Sequence, residues 1–180
     1  MKTTLTLIIL LTSISFCKAQ YAKELDDKNG FNIFVLGEDI SEVKKLAKLK
    51  SHGSDPENKS IAYYEVKNIK DFKIFEYPLK SIELYFYDAK LYCISISPSF
   101  VYGSEQNELI HQDILSRVQK QYGGFQEKEL TSQDKLYGRT AKYELYGKKV
   151  LLRFLGGVTN YAFYDIQIRN KIISEEKSGL

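Results

Sequence analysis

Three observations predict one α+β domain, an antiparallel sheet of about six strands with two helices packed mainly on one face. Apolar and polar residues alternate with period two through residues 82–96 and 141–168. Apolar residues recur at three- and four-residue spacing through residues 40–49 and 105–121. The chain is 180 residues long, 43% hydrophobic and 13% aromatic, which suits a single domain burying roughly 68–70% of its unfolded surface. Three Pro and 11 Gly exclude collagen-like and linker-like chains. Lys and Arg number 26 against 23 Asp and Glu. That balance argues against a dedicated nucleic-acid binder, which needs a strongly basic face.

Residues 1–19 read as a secretory signal peptide, leaving residues 20–180 as the domain. Lys2 supplies the positive start, and Leu5 to Phe16 form an apolar run too short to span a bilayer comfortably. Cys17-Lys18-Ala19 puts small residues at −3 and −1, so cleavage is expected before Gln20. Lipidation at Cys17 requires a small preceding residue, and Phe16 is bulky. Cleavage removes two lysines and no acid, leaving 24 basic against 23 acidic residues and Cys93 as the one cysteine. No later segment is apolar enough to span a membrane, so a periplasmic or secreted protein is expected.

Tyr21 to Asn29 reads as a leading arm. A first helix follows over Ile40–Leu49, where Asp39 and Glu42 form an acidic capping box and Ile40, Val43, Leu46 and Ala47 share a face. Ser51 to Ser60 reads as a polar loop, and Ile61–Lys67 and Phe72–Glu76 as strands. Next comes a hairpin. Ile82, Leu84 and Phe86 share a face with Tyr92, Ile94 and Ile96 if a three-residue turn, Asp88-Ala89-Lys90, joins the strands. Cys93 then lies opposite Tyr85 on the other face.

The second helix spans Glu105–Gln121. Ser104 caps it, Glu105 and Glu108 lie at the positive end of its dipole, and Gly123-Gly124 stops it. Its core stripe is Ile110, Ile114, Leu115, Val118 and Tyr122. A meander closes the chain. A two-residue turn at Gly147-Lys148 pairs Leu145 with Val150, Tyr143 with Leu152 and Ala141 with Phe154, all inward. A turn at Gly156-Gly157 then leads to Ala162, Tyr164, Ile166 and Ile168, also inward. Ser174 to Leu180 reads as a frayed tail. Ala62-Tyr63-Tyr64-Glu65-Val66 echoes Ala141-Lys142-Tyr143-Glu144-Leu145, which chance or shared strand chemistry explains more readily than internal duplication.

Leu36-Gly37-Glu38-Asp39-Ile40-Ser41-Glu42-Val43 resembles the Leu-Gly, polar, Glu-Val helix start of small envelope proteins of the BamE and β-lactamase-inhibitor-protein type. The likeness covers about eight residues and the order of elements. It implies a short helix before an antiparallel sheet, protein binding and no catalysis. The chain departs from it at Ser51-His52-Gly53, where a Gly-x-Pro is common in those families, and lacks the lipid-attachment cysteine of BamE.

Chemistry-bearing residues are few. His111 with Glu108 makes one Glu-x-x-His pair, where a di-metal bundle site needs two. Cys93 sits mid-strand, away from the electropositive helix starts that activate thiols. Asp26 to Gly30 resembles half a calcium loop, but Leu25 and Leu36 occupy its first and last ligand positions. No catalytic, metal or cofactor residues are assigned. The 14 tyrosines point to recognition instead. Tyr85, Tyr87 and Tyr63 fall on strand faces opposite the apolar set, where they form either a partner surface or core beneath a covering helix or arm. Register arithmetic pairs Lys142 with Arg153, sets Arg153 against Phe163 or Asp165, and brings Arg169 to the same face. Arg153 between Leu151 and Leu155 is either an anchor for an acidic partner or half of a structural ion pair. The expected function is an exported, non-catalytic module binding another protein as an inhibitor, immunity-type or envelope-assembly partner. A carrier of small apolar ligands is the alternative, and an enzyme comes after it.

Overall fold

The structure is a computed structural model that describes residues 22–99, 105–157 and 160–178. The expected leader, its cleavage point and the Ser104 cap fall outside these residues. The chain is α+β, with a large antiparallel sheet. It opens with helix α1 (Lys23–Lys28), a small hairpin of β1 (Gly30–Phe31) and β2 (Phe34–Val35), and helix α2 (Ile40–Leu46). Strands β3 (Leu49–Ser54), β4 (Ile61–Val66), β5 (Lys73–Ile74), β6 (Tyr77–Tyr87) and β7 (Lys90–Pro98) follow. Helix α3 (Glu105–Tyr122) leads to β8 (Gln126–Glu127), α4 (Ser132–Leu136), β9 (Lys142–Tyr146), β10 (Val150–Leu155), β11 (Asn160–Asp165) and α5 (Ile166–Ser178).

The main sheet has nine strands, ordered β3-β4-β6-β7-β11-β10-β9-β8, with β5 paired to β6. Five helices stand among the described residues where two were expected. The arm is helix α1, the first half of the polar loop is edge strand β3, and the tail is helical through Ser178. Among the described residues no helix is long and apolar enough to cross a membrane.

The inner face carries the core. Ile82, Leu84, Phe86, Ile94, Ile96, Leu145, Leu152, Phe154, Tyr161 and Phe163 pack with Leu25 of α1, Val43 of α2 and Ile114 and Val118 of α3. At the β6–β7 hairpin, Tyr85 lies opposite Cys93 and Leu84 opposite Ile94, as the three-residue turn predicts. The turn itself is two residues, Asp88-Ala89, both at positive φ, and a bulge beside Phe86 absorbs the difference. The bulge turns Leu91 inward and Tyr92 outward, the reverse of the simple alternation.

At β9–β10 the loop is Lys148-Lys149, and Leu152 faces Leu145 while Phe154 faces Tyr143. The pairing slips by two residues from the expected one. An even slip preserves the face, so Leu145, Val150, Leu152 and Phe154 are still buried inward. It does remove the Lys142–Arg153 pairing, because Lys142 faces Leu155. At β10–β11, Arg153 faces Ala162, an odd offset from the expectation. Every β11 side chain therefore reverses, with Tyr161 and Phe163 in the core and Ala162 and Tyr164 outward. Ile166, Ile168 and Arg169 are not strand residues. The Asp165 carboxylate accepts from the Ile168 amide at 3.0 Å and starts α5. Helix α5 packs Ile168 and Ile172 against Ile61, Tyr87 and Tyr92 on the outer face, so the helices are not confined to one side.

Candidate binding surface

Alternation that buries one set of side chains delivers the other to the outer face. There β3, β4 and β6 build an aromatic row. His52 stacks on Tyr63 with centroids 4.7 Å apart, and Tyr63 stacks on Tyr85 at 5.0 Å. Tyr63 and Tyr85 are directly opposed residues of neighbouring strands. Glu65 meets His52 Nε2 at 3.1 Å, and Tyr85 donates to Glu83 at 3.1 Å. Burial, then the Glu83 charge, pushes the Tyr63 hydroxyl up to about 12, and raises that of Tyr85 as well. These are neutral, half-buried rings, with Tyr63 stacked between His52 and Tyr85.

Tyr87 is different. It lies beneath α5, and its hydroxyl donates to Glu175 at 2.8 Å while Lys171 Nζ stands 4.7 Å from the ring centre. The molecule's own C-terminal helix occupies that part of the face, so Tyr87 is not an open contact residue.

Of the expected cationic cluster, Arg153 and Arg169 come together, while Lys142 is drawn away. Arg153 Nε and Nη2 both meet Glu144 Oε1, at 2.9 and 2.8 Å, in a cross-strand pair of which Arg153 retains 16% side-chain exposure and Glu144 6%. Tyr146 also donates to Glu144. Burial works to raise the Glu144 carboxyl; the Tyr146 hydrogen bond and the Arg153 charge outweigh it and hold the group below its ordinary value. Arg153 and Arg169 both lie over the Tyr164 ring, at 5.1 and 5.7 Å. Lys142 reaches Asp134 of α4 at 3.5 Å. Arg153 and Lys142 thus hold structure together. The partner of Arg153 is Glu144, and neither Phe163 nor Asp165 faces it.

Helix α4 carries what the sequence reading passed over. Leu136 is 82% exposed and Tyr137 62%. They sit side by side at the tip of the β8–β9 connection, which is tightly held. Thr131 and Asp134 form a reciprocal capping box, with Asp134 N donating to Thr131 Oγ1 and Thr131 N to Asp134 Oδ2. Lys142 adds the ion pair to Asp134. The base is clamped by Gly157, where an added Cβ would come 2.2 Å from the Gly138 carbonyl oxygen, and by the Thr140 amide donating to Gly156 O at 3.1 Å. Thr131 followed three residues later by Asp134 is the signal that would have found this helix.

Among the described residues, His111, Cys93 and Asp113 do not converge. His111 stacks on Phe154 at 4.4 Å on the inner face and meets Tyr161 Oη at 3.3 Å. Cys93 lies buried on the outer face, its thiol pushed up to about 12 by burial. The sheet separates the two. Asp113 accepts from Tyr77 at 2.8 Å and pairs with Arg117. A cleft of about 430 Å³ between α1 and the end of α3 is lined by Lys23, Glu24, Lys120, Tyr122 and Leu145 among others, a more charged wall than an apolar-ligand carrier needs. Comparison with protein-family models, curated proteins and solved structures finds no match for this chain.

Proposed function

We propose that this chain is an exported, non-catalytic module that acts in the periplasm or outside the cell by binding another protein. The observation that carries this reading is the Leu136–Tyr137 tip. Two large apolar side chains stand in water on a backbone already fixed by a capping box, an ion pair and a glycine clamp. Pre-organisation removes much of the ordering cost of association, and Tyr is enriched among the few residues that carry most of an interface's energy. The leader reading supports export. The stacked Tyr63–Tyr85 pair offers a second, flatter contact area on the outer face.

The test places a photo-crosslinking amino acid at Tyr137 in the exported protein and identifies the adduct. Affinity for that partner is then measured with Leu136→Ser and Tyr137→Ser. Each should weaken binding about thirtyfold while changing stability by less than about 0.5 kcal/mol, because both side chains are exposed. Unchanged affinity in both variants sinks the assignment of the tip.

A further inference from the structure

We infer that the edge of the sheet opposite this tip docks on an anionic membrane surface. Residues 44–50 carry Lys44, Lys45, Lys48 and Lys50, and residues 67–73 carry Lys67, Lys70 and Lys73, against Asp71 alone. The fold brings the two segments together. Leu49 faces Val66 across β3–β4, and the Lys67 amide donates to Lys48 O at 2.8 Å. Lys45 pairs with Glu42, and Lys44 lies 5.2 Å from the Tyr64 ring centre. Among the described residues Lys48, Lys50, Lys67, Lys70 and Lys73 have no ion-pair partner. The nearby Glu65 engages His52 instead. With Glu42 and Glu65 beside Lys45 and Lys50, this edge carries seven lysines against three acids in a chain of net charge +3.

Two features favour a lipid surface over an acidic protein or nucleic acid. The cations are all lysine, a hydrated point charge that suits diffuse attraction to headgroups, and none is arginine, the residue of bidentate recognition. Leu46, 47% exposed, stands among them and supplies shallow apolar insertion. This docking is independent of the protein-binding tip.

The test is co-sedimentation of the leader-free protein with vesicles of phosphatidylcholine, with and without phosphatidylserine. Binding is expected only with the anionic lipid and should fall as salt shortens the screening length. Combining Lys48→Glu, Lys67→Glu and Lys70→Glu should weaken it about 100-fold or more, at about fivefold per lysine removed. Leu46→Ser should cost about tenfold with little change in salt dependence. If the lysine variant fails to fold by circular dichroism, the salt titration of the unaltered protein still decides. Absent binding, equal binding to neutral vesicles, or salt-insensitive binding overturns the inference. So does a salt-sensitive complex with dextran sulfate and none with vesicles, which assigns the lysines to an acidic macromolecule.

Discussion

Glu144 accepts hydrogen bonds from Tyr146 and Arg153 while only 6% of its side chain remains exposed. Its carboxyl titrates below the ordinary 4.5 in the folded protein. The stabilisation it provides is therefore complete above the unfolded-state value and is lost as pH falls through the lower folded-state value. Glu144→Gln should lower unfolding free energy by about 3 kcal/mol at neutral pH, because Arg153 keeps its charge without its partner. The gap should close at strongly acid pH, and urea midpoints across pH measure it. The sequence makes Arg153 visible as a cation between two leucines. Whether it anchors a partner or closes an internal pair depends on which residue faces it, and one position of register changes that answer. Leu136 and Tyr137 were passed over for another reason. Periodicity finds side chains that are buried together, and an exposed pair at the end of a five-residue helix leaves no such pattern.

At the scale of elements, the β9–β10 turn is held from outside. Asp26 of α1 accepts from the amides of Lys148, Lys149 and Val150 at 2.6, 2.8 and 3.0 Å. Its carboxyl is lowered because these hydrogen bonds outweigh the raising effect of burial. A Cβ on Gly147 would come 2.1 Å from Asp26 Oδ1. Gly147→Ala should cost about 2 kcal/mol, and much less in an Asp26→Ala background, where the obstructing carboxylate is gone. Thermal denaturation of the two single variants and the double variant checks this. Hairpins were legible to the extent that their slips were even. The β6–β7 face survived a misjudged turn through a bulge, and β9–β10 survived a two-residue slip. Strand β11 reversed on an odd one. Helix α5 was misread because Ile166 and Ile168 mimic strand alternation. Asp165, which caps the Ile168 amide, was the local sign of a helix.

At the scale of the molecule, fold class was legible because it needs only the two hydrophobic periods and their order. Strand order was not, since β7 meets β11 across intervening α3, β8, α4, β9 and β10. Eight strands at about 4.8 Å set the lysine edge and the Leu136–Tyr137 edge about 34 Å apart. One end can thus face a lipid surface while the other reaches a protein. The same connectivity governs when the structure can exist. The Ala22 amide donates to Tyr146 O, and Asp26 waits for an amide 124 positions later. A chain truncated after Gly147 should therefore leave the α1 amides open to hydrogen exchange, where the intact chain protects them. During synthesis α1, made early, is among the last elements to find its place, and β7 keeps an open edge until β11 arrives. For the exported protein proposed here, that order acts as a delay: the fold cannot close until nearly the whole chain has been synthesised, so the nascent chain stays in the unfolded form that a translocation channel accepts.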